Sequence, residues 1–258
     1  MSRDELPRVR GRTAFGIDIG GSGIKGAPVD LRNGSFAAER VRIPTPQPAT
    51  PPAVALVVAQ IVNTFQLRKD VPLGVTFPAV VRHGVAQSAA NVDESWIGTD
   101  IEKLLRDATG RQVLAVNDAD AAGYAEVEYG AARDVPGLVI VVTLGTGIGS
   151  ALINNGRLVP NTELGHIEVD GVDAESRASD AARERDGLDY PAWAARLQRY
   201  FAELEKLFSP DLFVVGGGVS KKYGEYLPLL NLRAPIVPAA LRNAAGIVGA
   251  ARLAAEVL

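Results

Sequence analysis

Short apolar runs, each closed by glycine or asparagine, set the rhythm of this chain. Thr13 to Ile19 is apolar except at Asp18, Gly20-Gly21-Ser22-Gly23 turns it, and Ile24 to Val29 returns, which predicts a strand–turn–strand hairpin. Asn33-Gly34 supplies another turn, and the alternation in Arg40-Val41-Arg42-Ile43 predicts an edge strand that Pro44 ends. The proline-rich stretch from Pro44 to Pro52 predicts an extended connector. Thr50 and Pro51 then fit the cap and first turn of a helix to about Leu67, with Val54, Val57, Val58 and Ile61 on one face. Val71 to Phe77 reads as a strand, and Thr99-Asp100-Ile101-Glu102 as a capping box opening a helix that Gly110 closes.

The centre of the pattern is Val113 to Gly123. Val113-Leu114-Ala115-Val116 reads as a buried strand, and the small residues behind Asn117-Asp118 read as a helix start. Asp118 thus falls at a strand-to-helix junction, where open α/β sheets place ligand chemistry; its plainer role is to cap that helix. The second half then repeats the first. Leu138 to Leu144 is a strand, Gly145-Thr146-Gly147-Ile148-Gly149 a turn, and Ser150 to Ile153 a return to Asn154-Asn155-Gly156. Asp170 to Asp189 is charged and aperiodic, predicting a loop with a short helix. Trp193, Leu197, Tyr200, Phe201, Leu204 and Phe208 recur at helical spacing within Pro191 to Phe208, a stripe suited to core or subunit interface rather than to a ligand. Leu212 to Val215 enters Gly216-Gly217-Gly218, after which Ser220 is placed to cap a helix. Pro235 to Val237 is a last short strand, and Ala244 to Leu258 a last helix.

Composition narrows the function classes. A 47% hydrophobic and 22% charged chain of 258 residues suits one large α/β domain or two modest lobes. A formal charge of −3 gives no general attraction for nucleic acid or an anionic membrane, so a polyanion site has to be local. The absence of cysteine excludes disulfides and thiolate metal sites and fits a reducing compartment. Met1 to Arg12 has no signal-peptide core, and no stretch reaches membrane-span length, so a cytoplasmic protein is expected.

The candidate chemistry lies in the turns. Gly20, Gly21, Ser22 and Gly23 leave backbone N–H groups open to phosphate oxygens, and Lys25 adds a point charge. Gly145, Thr146 and Gly147 form a second such tip. A strand rather than a helix follows each, which excludes both a P-loop and a dinucleotide fingerprint. Taken with Asp118 and Gly216-Gly217-Gly218, the set is far more specific than any one motif.

Asp18-Ile19-Gly20-Gly21-Ser22-Gly23, Asn117-Asp118-Ala119-Asp120-Ala121-Ala122, Leu144-Gly145-Thr146-Gly147-Ile148-Gly149, Glu163-Leu164-Gly165-His166 and Val215-Gly216-Gly217-Gly218 resemble, in order, the motifs of the ROK sugar kinases. The resemblance runs from about Ala14 to Leu258. Within that family the chain is most similar to polyphosphate glucokinases, through Ser88-Ala89-Ala90-Asn91-Val92, the cysteine-free loop after His166, and Leu207-Phe208-Ser209-Pro210-Asp211 with Val219-Ser220-Lys221-Lys222. The resemblance implies an α/β, two-lobed ribonuclease-H-like fold of the actin/hexokinase superfamily with a cleft between lobes. Residues 1–116 would form the small lobe, with helix 243–258 crossing back, and 117–242 the large lobe.

It also implies roles. Asp118 would be the general base that takes the proton of the sugar 6-hydroxyl. Asn91, Asn117, Glu163, His166 and Glu175 would bind the sugar, Glu175 in a loop that departs from the common pattern. Gly20, Gly21, Ser22, Gly23, Lys25, Gly145, Thr146, Gly147, Gly216, Gly217, Gly218, Lys221 and Lys222 would hold the phosphoryl donor with its Mg2+. Many ROK members carry a cysteine-rich zinc motif after Gly-His; without cysteine, zinc is not expected, no protein metal site is assigned, and other contacts must hold the loop. Glucose would be the acceptor and inorganic polyphosphate, ATP or both the donor. Neither nucleic acid nor membrane would be a partner, and the protein would be a homodimer, with the Trp193–Phe208 stripe as one candidate surface. Two alternatives remain: a strictly ATP-dependent kinase for glucose, mannose or an N-acylated amino sugar, and a non-catalytic sugar-sensing ROK repressor. The repressor needs a helix-turn-helix ahead of Thr13, where only about a dozen residues stand.

Overall fold

The computed structural model describes residues 13–89 and 92–258. It divides into two units, one running to Ala125 and taking in Ala244–Leu258, the other Glu126–Asn243.

The first unit is built on a six-stranded sheet. Strands β1 (Thr13–Ile19) and β2 (Ile24–Asp30) form the predicted hairpin, with β3 (Ser35–Phe36) and β4 (Val41–Ile43) both on β2. Helix α1 (Pro51–Asn63) stops short of the expected Leu67, because the chain leaves the helix at Thr64 and so sends Phe65 and Leu67 into the core. Strand β5 (Leu73–Phe77) pairs parallel with β1, and the hairpin β6 (Val81–Arg82) and β7 (Val85–Ala86) follows. Helix α2 (Ile101–Thr109) leads to β8 (Val113–Asn117), which pairs parallel with β5. Asp100 rather than Thr99 caps α2, accepting the Lys103 N–H at 2.8 Å, while Glu102 accepts from Ala115 N and so ties the helix to β8.

Strand alternation assigns the two faces of this sheet. Phe15, Ile17, Ile19, Leu73, Val75 and Phe77 belong to one buried cluster with Val54, Val58 and Ile61 of α1 and Ile101 and Leu105 of α2. The intervening Gly16 and Gly74 face α7 (Ala245–Val257), where a β-carbon would overlap the carbonyls of Ile247 and Ala250. Gly249 meets the Ala121 carbonyl of α3 (Asp118–Tyr129) in the same way. The last helix therefore packs backbone to backbone, against two strands and a helix at once.

In the second unit, β9 (Leu138–Leu144) and β10 (Ile148–Asn154) form the second glycine-tipped hairpin, with β11 (Arg157–Val159) outside β10. After the small hairpin β12 (Glu168–Val169) and β13 (Val172–Asp173) come α4 (Glu175–Ala178), α5 (Asp180–Arg185) and the long α6 (Tyr190–Phe208). Strands β14 (Leu212–Gly216) and β15 (Ile236–Pro238) complete the sheet in the order β11-β10-β9-β14-β15. Ile140, Val142, Phe213 and Val215 on one face pack with α6, while Val139, Val141 and Val214 on the other pack with Ala132.

Two expectations change here. Trp193, Leu197, Tyr200, Phe201 and Leu204 are all within 1% of complete burial, so this unit's own core consumes the aromatic stripe and leaves no subunit surface there. The stretch after Gly217 is not an α-helix but a kinked 3₁₀ segment, Gly218–Glu225, broken at Lys222. Gly224 and Pro228 deny it helical continuation, and the Ser220 hydroxyl, instead of capping, donates to the Gly217 carbonyl at 2.7 Å. Among the described residues no helix is long and apolar enough to cross a membrane.

Candidate active site

In the first unit the site begins at the turn between β1 and β2. Gly20, Gly21, Ser22 and Gly23 cross it, and at its foot the Asp18 carboxylate accepts from Lys25 Nζ at 3.2 Å and from Thr76 Oγ1 at 3.0 Å. Lys25 stands opposite Asp18 in one register and opposite Arg42 in the other. The Arg42 guanidinium lies against Gly23, where a β-carbon would stand 2.7 Å from it, and donates to the Ser22 carbonyl at 3.0 Å. The turn thus carries two cations, Lys25 and Arg42. Lys25 is an expected site residue; Arg42 and Asp18 are not among those expected from the sequence. Only strand pairing brings Arg42 to the turn, whereas Asp18, the one charge in an apolar strand, was a signal available in the sequence.

Behind β8, Asn117 and Asp118 divide the work. Asn117 is 8% exposed; its Oδ1 accepts the N–H groups of Ala119 and Asp120 at 2.8 and 3.1 Å, and its Nδ2 donates to the Ala79 carbonyl at 3.1 Å. Asn117 therefore closes the start of α3, leaving one amide proton for a ligand. Asp118 is exposed, and its Oδ1 shares the Ala119 N–H at 2.8 Å. Asn91 lies outside the described residues.

In the second unit, three separated motifs come together around β9 and β10. Gly145, Thr146 and Gly147 form the tip, with Gly145 N–H bonded to the Gly147 carbonyl at 3.0 Å. Gly217, in a left-handed conformation at φ 85°, packs its backbone on Leu144 at the head of this tip, and Gly216 pairs with Thr143 just before it. The Glu175 carboxylate fills the space beside Gly147 and accepts the Ile148 N–H at 2.8 Å. Glu175 therefore braces the hairpin, and only its remaining acceptor capacity is open to a sugar. Lys221 and Lys222 are both solvent-exposed on the 3₁₀ segment behind Gly218.

Glu163 precedes and His166 ends the 3₁₀ turn Leu164–His166, which Gly165 lets settle on the Ile148 carbonyl of β10, while Leu164 N–H donates to Ser150 Oγ at 2.9 Å. Partial desolvation raises the Glu163 pKa despite the opposing charge of His166, and Glu175 adds to the rise. His166 is raised as well, first by its hydrogen bond to Asp173. Asp173, at 2.8 Å from Nδ1, was not foreseen as a site residue.

Other contacts do hold the loop that lacks thiolates. Asp186 receives Arg185 at 2.8 Å and Arg196 at 2.6 Å, Arg199 pairs with Asp170, and Arg196 also donates to the Arg177 carbonyl at 3.0 Å. Ser179 caps α5, and the buried Trp193 indole donates to the Ala178 carbonyl at 3.0 Å.

The chain as a whole is similar to proteins of a known family. The profile described as the ROK family matches residues 14–187. The polyphosphate glucokinase of Mycobacterium tuberculosis is 54% identical over 241 residues, covering 93% of this chain and 90% of that protein. The inorganic polyphosphate/ATP-glucomannokinase of Arthrobacter sp. strain KM, solved by crystallography, superimposes with a TM-score of 0.89 at 58% identity, covering 95% of this chain and 99% of that one. The glucokinase of Streptomyces coelicolor is 29% identical, covering 94% of this chain and 97% of that protein.

Proposed function

The chain belongs to the ROK family, and from that premise we propose that it phosphorylates glucose at the 6-hydroxyl with inorganic polyphosphate, and ATP, as donors. The observation that carries this reading is the pairing of motif and likeness: each glycine-tipped hairpin is formed, Asp118 stands exposed behind β8, and the polyphosphate glucokinase likeness spans nearly the whole chain. Mannose is a second acceptor to test, favoured by the likeness to a glucomannokinase.

In this reading Asp118 accepts the 6-hydroxyl proton as the oxygen attacks the terminal phosphoryl group. A carboxylate suffices, because a loose transfer builds little charge on the attacking oxygen until late. Asn117, Asn91, Glu163 and His166 bind the other hydroxyls, and leaving any of these polar groups unpaired penalises a wrong epimer. The backbone N–H groups at Gly20 to Gly23 and Gly145 to Gly147, with Gly216 to Gly218, hold phosphate oxygens. Lys25, Lys221 and Lys222 supply charge.

Mg2+ fits these residues as an ion carried in with the phosphoryl donor. Among the described residues no three His, Asp or Glu side chains group as a metal site. Mg2+ needs no such group, since it keeps waters and takes one or two carboxylates plus substrate phosphates. Asp18, at the foot of the first glycine turn, is the carboxylate that would hold it; when bound, the ion would neutralise charge on the transferring phosphoryl oxygens.

We place the enzyme in the cytoplasm, on its lack of cysteine, and expect a homodimer through a surface other than the buried α6 stripe. The deciding experiment measures glucose 6-phosphate with polyphosphate and ATP offered separately, against glucose and mannose. Product with ATP alone would replace the polyphosphate reading with a strictly ATP-dependent one, and no product with any pair would refute the kinase assignment.

A further inference from the structure

We propose that Asp173 is a positioning residue for sugar binding: by accepting a hydrogen bond from His166 Nδ1–H, it fixes one imidazole tautomer and presents Nε2 to a sugar hydroxyl as an acceptor. This rests on the reading that His166 touches the sugar, and it adds what sets that ring's orientation and protonation.

The pair is held from several directions. His166 Nδ1 lies 2.8 Å from Asp173 Oδ2. The other carboxylate oxygen, Oδ1, accepts the Ser176 N–H at 2.9 Å, and the Ser176 hydroxyl donates to the Asp173 carbonyl at 2.7 Å. The β12–β13 ladder pairs Glu168 with Asp173, and Ala174 N–H reaches back to the Ile167 carbonyl at 3.0 Å. The Ser176 bonds fix Asp173 itself, and the ladder with the Ala174–Ile167 bond fixes the chain after His166 to the chain around Asp173. On the other side of the ring, Gly165 seats the turn on β10. Neither the carboxylate rotamer nor the distance between the two backbones is left to chance.

Such an arrangement has little to do with holding the fold. The two side chains are 55% and 42% exposed, and exposed pairs contribute little to stability. The exposure leaves the imidazole reachable by a ligand. In a neutral ring the hydrogen bond at one nitrogen decides what the other offers. With Nδ1–H committed to Asp173, Nε2 carries a lone pair and accepts a hydrogen bond from a hydroxyl, while Glu163 nearby offers a second acceptor.

Three carboxylates face the ring: Asp173 through its hydrogen bond and charge, and Glu175 and Glu163 through charge. Together they outweigh partial desolvation and raise the pKa of His166 above its ordinary value. Below that raised value the ring holds a second proton and Nε2 becomes a donor; above it, Nε2 accepts. Removing the charge of Asp173 therefore shifts the change-over to lower pH.

The test combines NMR of the 15N-histidine-labelled protein with glucose kinetics for Asp173→Ala, Asp173→Asn and His166→Ala. The chain has two histidines, His83 and His166, so His83→Asn assigns the spectrum. The parent should show the Nδ1–H tautomer above the ring's titration. Asp173→Ala should mix the tautomers and raise the glucose KM about 3- to 10-fold with kcat within about twofold. Asp173→Asn, which keeps an acceptor oxygen, should retain the tautomer and most of the affinity while titrating at lower pH. A dominant Nε2–H tautomer in the parent overturns the proposal. So does an Asp173→Ala protein with unchanged glucose KM beside a His166→Ala protein whose KM has risen. If His166→Ala leaves the glucose KM unchanged, the sugar-contact premise falls and the proposal with it; the tautomer, read without sugar, separates that failure from a misassigned dyad.

Discussion

Gly165→Ala puts the Glu163–His166 turn under a defined strain. A β-carbon there would stand 2.2 Å from the Ile148 carbonyl oxygen, and the obstacle is backbone of a paired strand, which cannot rotate aside. Restoring ordinary contact requires the turn to retreat by about 1 Å. That movement stretches the 2.9 Å bond from Leu164 N–H to Ser150 Oγ beyond hydrogen-bonding range and costs about 1 kcal/mol on that count alone. Overpacking raises the total to roughly 1–3 kcal/mol, or about 2–10 °C in melting temperature for a chain of this size. The functional loss is of similar size in free energy, because a misplacement of about 1 Å in a substrate-positioning group costs on the order of 100-fold. We expect kcat/KM for glucose to fall about 10- to 100-fold, equally with polyphosphate and with ATP, since the defect lies on the sugar side. Gly224→Ala, whose new β-carbon would meet nothing within 4 Å, is the control. If Gly165→Ala keeps more than about a third of the parental kcat/KM and melts where the parent does, Gly165 does not position these residues.

Asp118→Asn should lower kcat by about 10³-fold or more while leaving the glucose KM nearly intact; a variant that keeps a tenth of parental turnover would remove Asp118 from the base role. Arg42→Ala, and separately the Lys221→Ala/Lys222→Ala pair, should raise the KM for long polyphosphate more than that for glucose, with a shallower salt dependence than the parent's; parental polyphosphate kinetics across a salt series would discard the variant's residues as donor contacts. Chelation should abolish activity and Mg2+ alone restore it, and stoichiometric zinc in the purified protein by elemental analysis would contradict a loop held by arginine–carboxylate pairs. Gly74→Ala, driving a β-carbon into the Ala250 carbonyl, should lower the melting temperature by at least about 4 °C; a melt within a degree of the parent would show that α7 gives way freely.

What could be read from the sequence was what is local. Thr13–Ile19 declares itself by composition and Gly110 by its place behind a helix, and both stand as expected. The two glycine turns were equally plain, because a turn without side chains has few other uses. Pairings between distant residues were not legible. Nothing near Arg42 announces Ser22, and nothing near Asp173 announces His166; each meeting is set by a strand register or a hairpin. The capping of α3 shows the limit at single-residue scale, since Asn and Asp cap equally well and only the folded backbone, which brings the Asp120 N–H to Asn117 Oδ1, decides between them. The aromatic stripe of α6 likewise fitted core and interface alike until the strands on which it packs were known.

The first unit is not a continuous stretch of chain: 118 residues, from Glu126 to Asn243, intervene before α7 arrives to cover Gly16 and Gly74. During synthesis from the N-terminus, β1, β5 and β8 therefore emerge long before the helix that packs on that face. The intervening unit is contiguous and holds both faces of its own sheet, so it can complete its core first. The unit that carries Asp118 can therefore close only after the intervening unit has been made, and until then the sheet face of Gly16 and Gly74 stays uncovered.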